Sequence, residues 1–200
     1  EIEYNDEAVN TPEGFAFFEI NALLGKRYYA DLGMRTSVFQ LQKQVYYVYG
    51  EPRGSIRYKA KNGYWIKLGA MRTRQFFHLL TNLTLGLPSD LWVPSSTRYR
   101  PAFANQFSGG FSKEGKIWQF SSEVFYKTLG NILEYKSDAS YITSATNWQD
   151  AVTSGKGEAY GWECMAEKTK GLLTGWVSYT LMWNNRIFPE LNNGAVFPAR

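Results

Sequence analysis

The side chains best suited to hold a ligand gather in two stretches. Residues 78–101 carry Asp90, Trp92, Arg98, Tyr99 and Arg100, and residues 136–158 carry Asp138, Tyr141, Asn147, Trp148 and Asp150. Both sets mix flat aromatic faces with charges, donors and acceptors. That chemistry suits the binding of an organic ligand such as a sugar, a chelator or a peptide. The same residues also suit the packing of one loop on another, and at the level of sequence both roles stay open.

Catalysis has little to work with. His78 has no base or nucleophile beside it and reads as part of a packed segment with Leu79 and Leu80. The single cysteine, Cys164, permits no intrachain disulfide. One histidine and one cysteine are too few for an imidazole–thiolate metal centre. Gly155-Lys156-Gly157 is too short for a phosphate-cradling loop and has no strand–loop–helix setting. The expectation is a protein that is not an enzyme and carries no cofactor.

Composition narrows the class. The chain has 200 residues, enough for one domain with a sizeable core. Its formal net charge is +4, yet no block of Lys and Arg occurs, so nucleic acid is not an expected partner. Aromatic residues make up 17%, a load that must be buried or placed at an interface. The longest unbroken apolar run, Val45 to Tyr49, is far short of the roughly 20 residues of a membrane-crossing helix. The mean hydropathy of −0.38 looks soluble. A transmembrane barrel escapes that measure, because every second residue of its strands faces a polar lumen. The chain opens on Glu1-Ile2-Glu3-Tyr4, without a basic start and apolar stretch. A secreted protein would be represented here by a mature form or an internal piece.

The elements that position the two stretches alternate with period two. Tyr28, Ala30, Leu32, Met34, Thr36 and Val38 oppose Tyr29, Asp31, Gly33, Arg35 and Ser37, an apolar face against a polar one. The pattern returns at Ile56 and Tyr58, at Ile66 and Leu68, at Phe120 to Tyr126 and at Val177 to Trp183. Eight strands are predicted, over about 14–24, 27–39, 46–60, 64–77, 102–112, 117–135, 159–169 and 173–186. Many exceed the five or six residues of an ordinary strand and match the ~9–11 of a tilted membrane strand.

Their connections alternate too. Turns at Gly25-Lys26, Lys61-Asn62-Gly63, Lys113 to Lys116 and Lys170 to Leu172 are short, and Asn-Gly is a strong tight-turn signal. The intervening connections, 40–45, 78–101 and 136–158, are longer. Outer-membrane barrels follow this rule, with tight periplasmic turns and long outer loops. Six of the seven prolines fall in loops or ends, and only Pro52 sits inside a predicted strand. Aromatics gather at both strand ends. Tyr28, Tyr29, Tyr58, Tyr64, Trp65, Phe111, Trp118 and Trp176 lie toward the turns, and Phe39, Tyr46, Tyr47, Phe76, Phe77, Tyr135, Tyr160 and Trp183 toward the loops. They predict two interfacial belts. Glu158 with Glu163, or Glu123 with Glu134, reads as acids of a polar lumen rather than as a catalytic pair.

Longer stretches resemble a known family. Leu24 to Arg35 looks like a periplasmic turn and following strand of TonB-dependent receptors. His78-Leu79-Leu80-Thr81-Asn82, continued by Leu87-Pro88-Ser89-Asp90-Leu91-Trp92-Val93-Pro94-Ser95, is the most specific match to their barrel domain. Glu123 to Lys127 with Asn131 to Lys136, and Gly155 to Glu163, resemble strands leading into and out of a large outer loop.

The resemblance implies an all-β fold: about eight consecutive antiparallel up-and-down strands, an open curved sheet forming part of a 22-stranded transmembrane β-barrel. It implies that residues 1–200 are a partial TonB-dependent receptor barrel domain, with the plug domain, TonB segment and remaining strands absent. It also implies the outer membrane of a Gram-negative bacterium, contact with outer-membrane lipid, and import of an extracellular small-molecule, glycan, chelator or peptide ligand powered by TonB. In some branches of that family a surface lipoprotein caps the barrel. A different class also fits the strands and the loop aromatics, namely a secreted soluble β-sandwich or barrel that binds carbohydrate through its loops. A passive porin is a third option.

Overall fold

The computed structural model describes residues 11–42, 45–82, 89–136 and 148–199. Eight long strands form its frame: β1 (Glu13–Leu24), β2 (Tyr28–Gln42), β3 (Val45–Lys59), β4 (Tyr64–Gln75), β7 (Ala102–Glu114), β8 (Trp118–Tyr135), β9 (Val152–Lys168) and β10 (Gly175–Ile187). A short β11 (Phe197–Pro198) completes one antiparallel sheet in the order β1-β2-β3-β4-β7-β8-β9-β10-β11. Between β4 and β7 lies a separate hairpin, β5 (Phe77–Asn82) with β6 (Ser89–Pro94). A single helical turn, α1 (Trp148–Ala151), precedes β9.

The eight predicted strands are all present. The sheet also gains β11, and the predicted loop 78–101 contains a hairpin of its own. The largest boundary error is at β9, which starts at Val152 rather than near 159. Gly155 and Gly157 make that stretch look like loop. Gly155 is needed because a Cβ there would collide with the Ile187 carbonyl oxygen and the Phe188 ring.

The pairings align the strands row by row. One row runs Ala22, Ala30, Ile56, Leu68, Gly109, Val124, Trp162 and Leu181, and the next Ile20, Leu32, Gly54, Ala70, Phe107, Tyr126, Tyr160 and Trp183. Alternate rows belong to the other face: Asn21, Asp31, Ser55, Gly69 and Ser108, and beside them Glu19, Gly33, Arg53, Met71, Gln106 and Lys127. Because side chains alternate strictly along a strand, this register gathers each strand's apolar set onto one common face.

That apolar face is uncovered: Leu32, Leu68, Phe107 and Val124 keep 57–61% of their surface open. No second sheet packs on it among the described residues. The polar face is hollow, with a cavity of about 630 Å³ lined mainly by polar-row residues of β1, β2, β3, β4, β7 and β8. Ion pairs cross it at Arg53–Glu19 (2.5 Å), Arg57–Asp31 (3.1 Å) and Arg35–Glu13 (3.5 Å). Each is partly exposed and adds at most about 1 kcal/mol. Their main effect is to leave these carboxylates and guanidinium groups paired. The buried Glu51 accepts a 2.8 Å hydrogen bond from the Ser37 hydroxyl, which answers the desolvation of its carboxylate.

Two local features shape the loop end. Pro52 lacks an N–H, and the β3–β4 ladder stops beside it, at Arg53↔Met71. In β8 a bulge lies between Gly130 and Ile132. There Asn131 adopts φ 56°, and its side-chain amide donates to the Pro101 carbonyl at 3.0 Å.

Not every belt aromatic reaches the outer face. Tyr28, Tyr58 and Phe111 share one outward row near the turns, where the Tyr28 and Tyr58 rings lie 4.9 Å apart, tilted by 34°. Tyr126, Tyr160 and Trp183 form an outward ladder toward the loops, with ring centroids 6.5 and 5.5 Å apart. Tyr29, Trp65 and Trp176 instead lie on polar rows. Phe39, Phe76 and Tyr135 are buried in loop-end clusters. No helix among the described residues is long and apolar enough to cross a membrane, which says nothing of a strand-built barrel.

Candidate functional site

At the loop end the chain builds a folded cap. One face of the β5–β6 hairpin presents Leu80, Val93 and the partly buried Leu91 to Tyr99, Leu133, Tyr135, Ala151 and Val152. A second cluster holds Phe39, Leu41 and Phe76, with the Phe39 and Phe76 rings stacked at 5.0 Å. Apolar side chains thus fix long loops that would otherwise carry few tertiary contacts.

Tyr99 is the clasp. Its buried hydroxyl lies 2.8 Å from the Val152 carbonyl oxygen and 2.9 Å from that of Gln149, and its ring lies 6.0 Å from Trp148. Its backbone N–H donates to the Ser96 hydroxyl at 3.0 Å, which in turn donates to the Gln149 side chain at 3.1 Å. The Tyr47 hydroxyl donates to the Ser96 carbonyl oxygen at 3.0 Å. At the rim, Arg98 pairs with Asp150 at 2.5 Å; that hydrogen bond is the first cause holding the Arg98 pKa above its ordinary value.

Four of the ten predicted ligand residues, Arg98, Tyr99, Trp148 and Asp150, are therefore neighbours, drawn from both predicted loops. Trp92 is exposed on the hairpin opposite Leu79, away from that group, and Arg100 is also exposed. Asp90 belongs to β6, where only its backbone is described. Asp138, Tyr141 and Asn147 lie outside the described residues. Tyr99 and Asp150 are occupied in holding the loops together, while Trp92 and Arg100 keep open surfaces.

Sequence reasoning missed the hollow beside this cap. A cavity of about 910 Å³ is lined by Gln75, His78, Leu129, Ile132, Glu134, Arg186 and their neighbours. Arg186 and Glu134 pair across it at 3.3 Å. They stand 52 residues apart, and only the β8–β9–β10 pairing brings them together. Apolar walls with one ion pair give it the composition of a small-molecule pocket.

His78 closes one side of this cavity, buried, with Nε2 3.3 Å from the Ser95 hydroxyl. The single Ser95 hydroxyl proton goes to the Phe76 carbonyl oxygen at 2.8 Å. We therefore assign the His78 proton to Nε2, which donates to Ser95. Burial lowers its pKa from 6.5 to about 4. Among the described residues no three His, Cys, Asp or Glu side chains converge as a metal site requires.

No protein-family model matches the chain, and no curated protein matches it. Among solved structures it resembles the FrpB iron transporter from Neisseria meningitidis (F3-3 variant), with a TM-score of 0.66 and 12% sequence identity over 92% of this chain. What is shared is the fold. This chain corresponds to 27% of the length of that transporter.

Proposed function

We propose that this chain is part of a TonB-dependent transporter in the outer membrane of a Gram-negative bacterium. It binds an extracellular ligand at its loop end, and the whole protein imports that ligand with energy from TonB. The observation that carries this reading is the continuous apolar face of the sheet, backed by a hollow, ion-paired polar face. Lipid suits the first and a hydrated lumen the second. The loop-end cap supplies aromatic and charged groups for a ligand, and no covalent step is assigned to it. FrpB is an iron transporter, so chelated iron stands beside glycans and peptides among the ligands to test.

The secreted β-sandwich is the weaker reading, because it needs a second layer over Leu32, Leu68, Phe107 and Val124. The test uses the full-length protein in its own bacterium. It should fractionate with the outer membrane and migrate faster on gels before boiling than after. Uptake of its ligand should stop when TonB is deleted. Recovery from the soluble fraction would sink the barrel reading, and uptake persisting without TonB would point to a porin.

A further inference from the structure

Charge is spread unevenly along the strands. The four short turns and their flanks, residues 25–27, 59–63, 113–117 and 167–174, hold eight of the 22 Lys and Arg but only two of the 18 Asp and Glu. In the rest of the chain acids outnumber bases by two, so the net charge of +4 is owed to one end of the sheet. Each turn carries a basic pair: Lys26 with Arg27, Lys59 with Lys61, Lys113 with Lys116, and Lys168 with Lys170. None of the eight joins an ion pair among the described residues.

The register puts part of this charge on the outward face. Lys113 pairs with Tyr64 and Phe120, one row beyond the outward row of Ile66 and Phe111. Its ammonium lies 4.8 Å from the centre of the Tyr64 ring. Lys168 pairs with Trp118, one row further toward the turns. The two acids of this end, Glu114 and Glu167, share a row of the opposite face through Gln119. Cations and carboxylates are thus sorted to different sides.

An apolar fringe accompanies the lysines. Ile117 and Trp118 are exposed, and Leu172 and Leu173 keep 101% and 77% of their surface open. The turns that carry them are tied together where the Thr169 N–H donates to the Ile117 carbonyl oxygen at 2.8 Å. Open apolar side chains interleaved with lysines are the composition of a segment that lies in a membrane interface. The lysine stems can follow the apolar surface while their ammonium groups reach the head groups.

We infer that the turn end of the sheet binds the phosphate groups of anionic phospholipid in the adjacent leaflet, through Lys113 and Lys168 on the outward rows and Lys116 and Lys170 at the turn tips. This rests on the barrel reading above, which puts the short turns on the periplasmic side. An anionic lipid surface attracts clustered lysines. The fringe selects lipid over a soluble anion, because a free anion gains nothing from Ile117, Trp118, Leu172 and Leu173.

Native mass spectrometry of the full-length protein in detergent tests it, with phosphatidylglycerol and phosphatidylcholine of the same chain length as probes. The unmodified protein should retain phosphatidylglycerol about tenfold better. Lys113→Gln with Lys168→Gln should remove most of that preference. Lys67→Gln with Lys127→Gln, which takes the same charge from polar rows, should keep it. Equal retention of the two lipids by the unmodified protein overturns the inference, and so does equal loss in the two double variants, since net charge alone would then be responsible. Displacement of phosphatidylglycerol by equimolar inorganic phosphate overturns it too, because the site would serve a free anion. A membrane-impermeant maleimide should leave Asn62→Cys unlabelled in intact cells, and labelling there would put the turns outside and refute the leaflet. A protein that assembles in the outer membrane yet shows no lipid preference refutes this inference alone. One that never enters the membrane refutes the barrel reading as well.

Discussion

At Gly161 an added methyl group would sit 2.5 Å from the Leu181 carbonyl oxygen and 3.0 Å from the Phe125 ring. The first neighbour is backbone, so β9 and β10 would have to part. Gly161→Ala should destabilise the folded protein by about 1–3 kcal/mol. Gly14→Ala, with no atom within 4 Å of the new Cβ, should change little. Urea unfolding followed by gel mobility compares the two. His78 gives a pH prediction. Its pKa is about 4 in the fold against 6.5 ordinarily, so between those values the unfolded segment binds a proton that the folded one does not. The hold of the cap is then complete above pH 6.5 and weakens as pH falls toward 4, by about 3 kcal/mol at the low end. Amide exchange in β5 and β6 should quicken at pH 5 relative to pH 7, after correction for intrinsic rates. His78→Gln should flatten that response.

At the scale of elements, the segment between β6 and β7 holds α1 through Tyr99 and through the Arg98–Asp150 pair, two contacts of unequal weight. Tyr99→Phe leaves buried carbonyl oxygens of Gln149 and Val152 without that donor, a loss of about 1–2 kcal/mol. Arg98→Ala breaks only an exposed, solvent-screened pair and should matter less. Limited proteolysis across Trp148–Ala151 should therefore accelerate more in Tyr99→Phe than in Arg98→Ala. The opposite order would mean that the rim pair, not the buried hydroxyl, holds the loops together.

At the scale of the whole molecule, the two faces of the sheet meet different solvents. Leu68 lies on an apolar row and Gln106 on a polar one, in neighbouring strands. Leu68→Arg places a charge against lipid, at a cost of about 2–4 kcal/mol near the bilayer centre. Gln106→Arg adds the same charge to the hydrated side. Outer-membrane assembly of the full-length protein, read as the fraction of heat-modifiable band, should fall in the first variant and hold in the second. Equal behaviour would contradict the assignment of faces.

Alternation at Tyr28 to Val38 marked both faces of β2, because side chains on a strand alternate whatever their neighbours. Asn62-Gly63 marked the turn between β3 and β4, where φ values of 59° and 78° suit those two residues. Such features are local, and sequence by itself determined the eight long strands, their order and their short turns. The loop end was decided elsewhere. Phe77 to Asn82 and Ser89 to Pro94 form a hairpin whose inner side chains are buried against Leu133, Tyr135 and Val152. Gly155 belongs to a strand because of Ile187 and Phe188. Glu134 meets Arg186, and both Arg72 and Arg74 meet Phe103, only through pairings between strands. These are contacts between residues far apart in the chain, and their energies come from packing and charge in three dimensions, which no local pattern encodes.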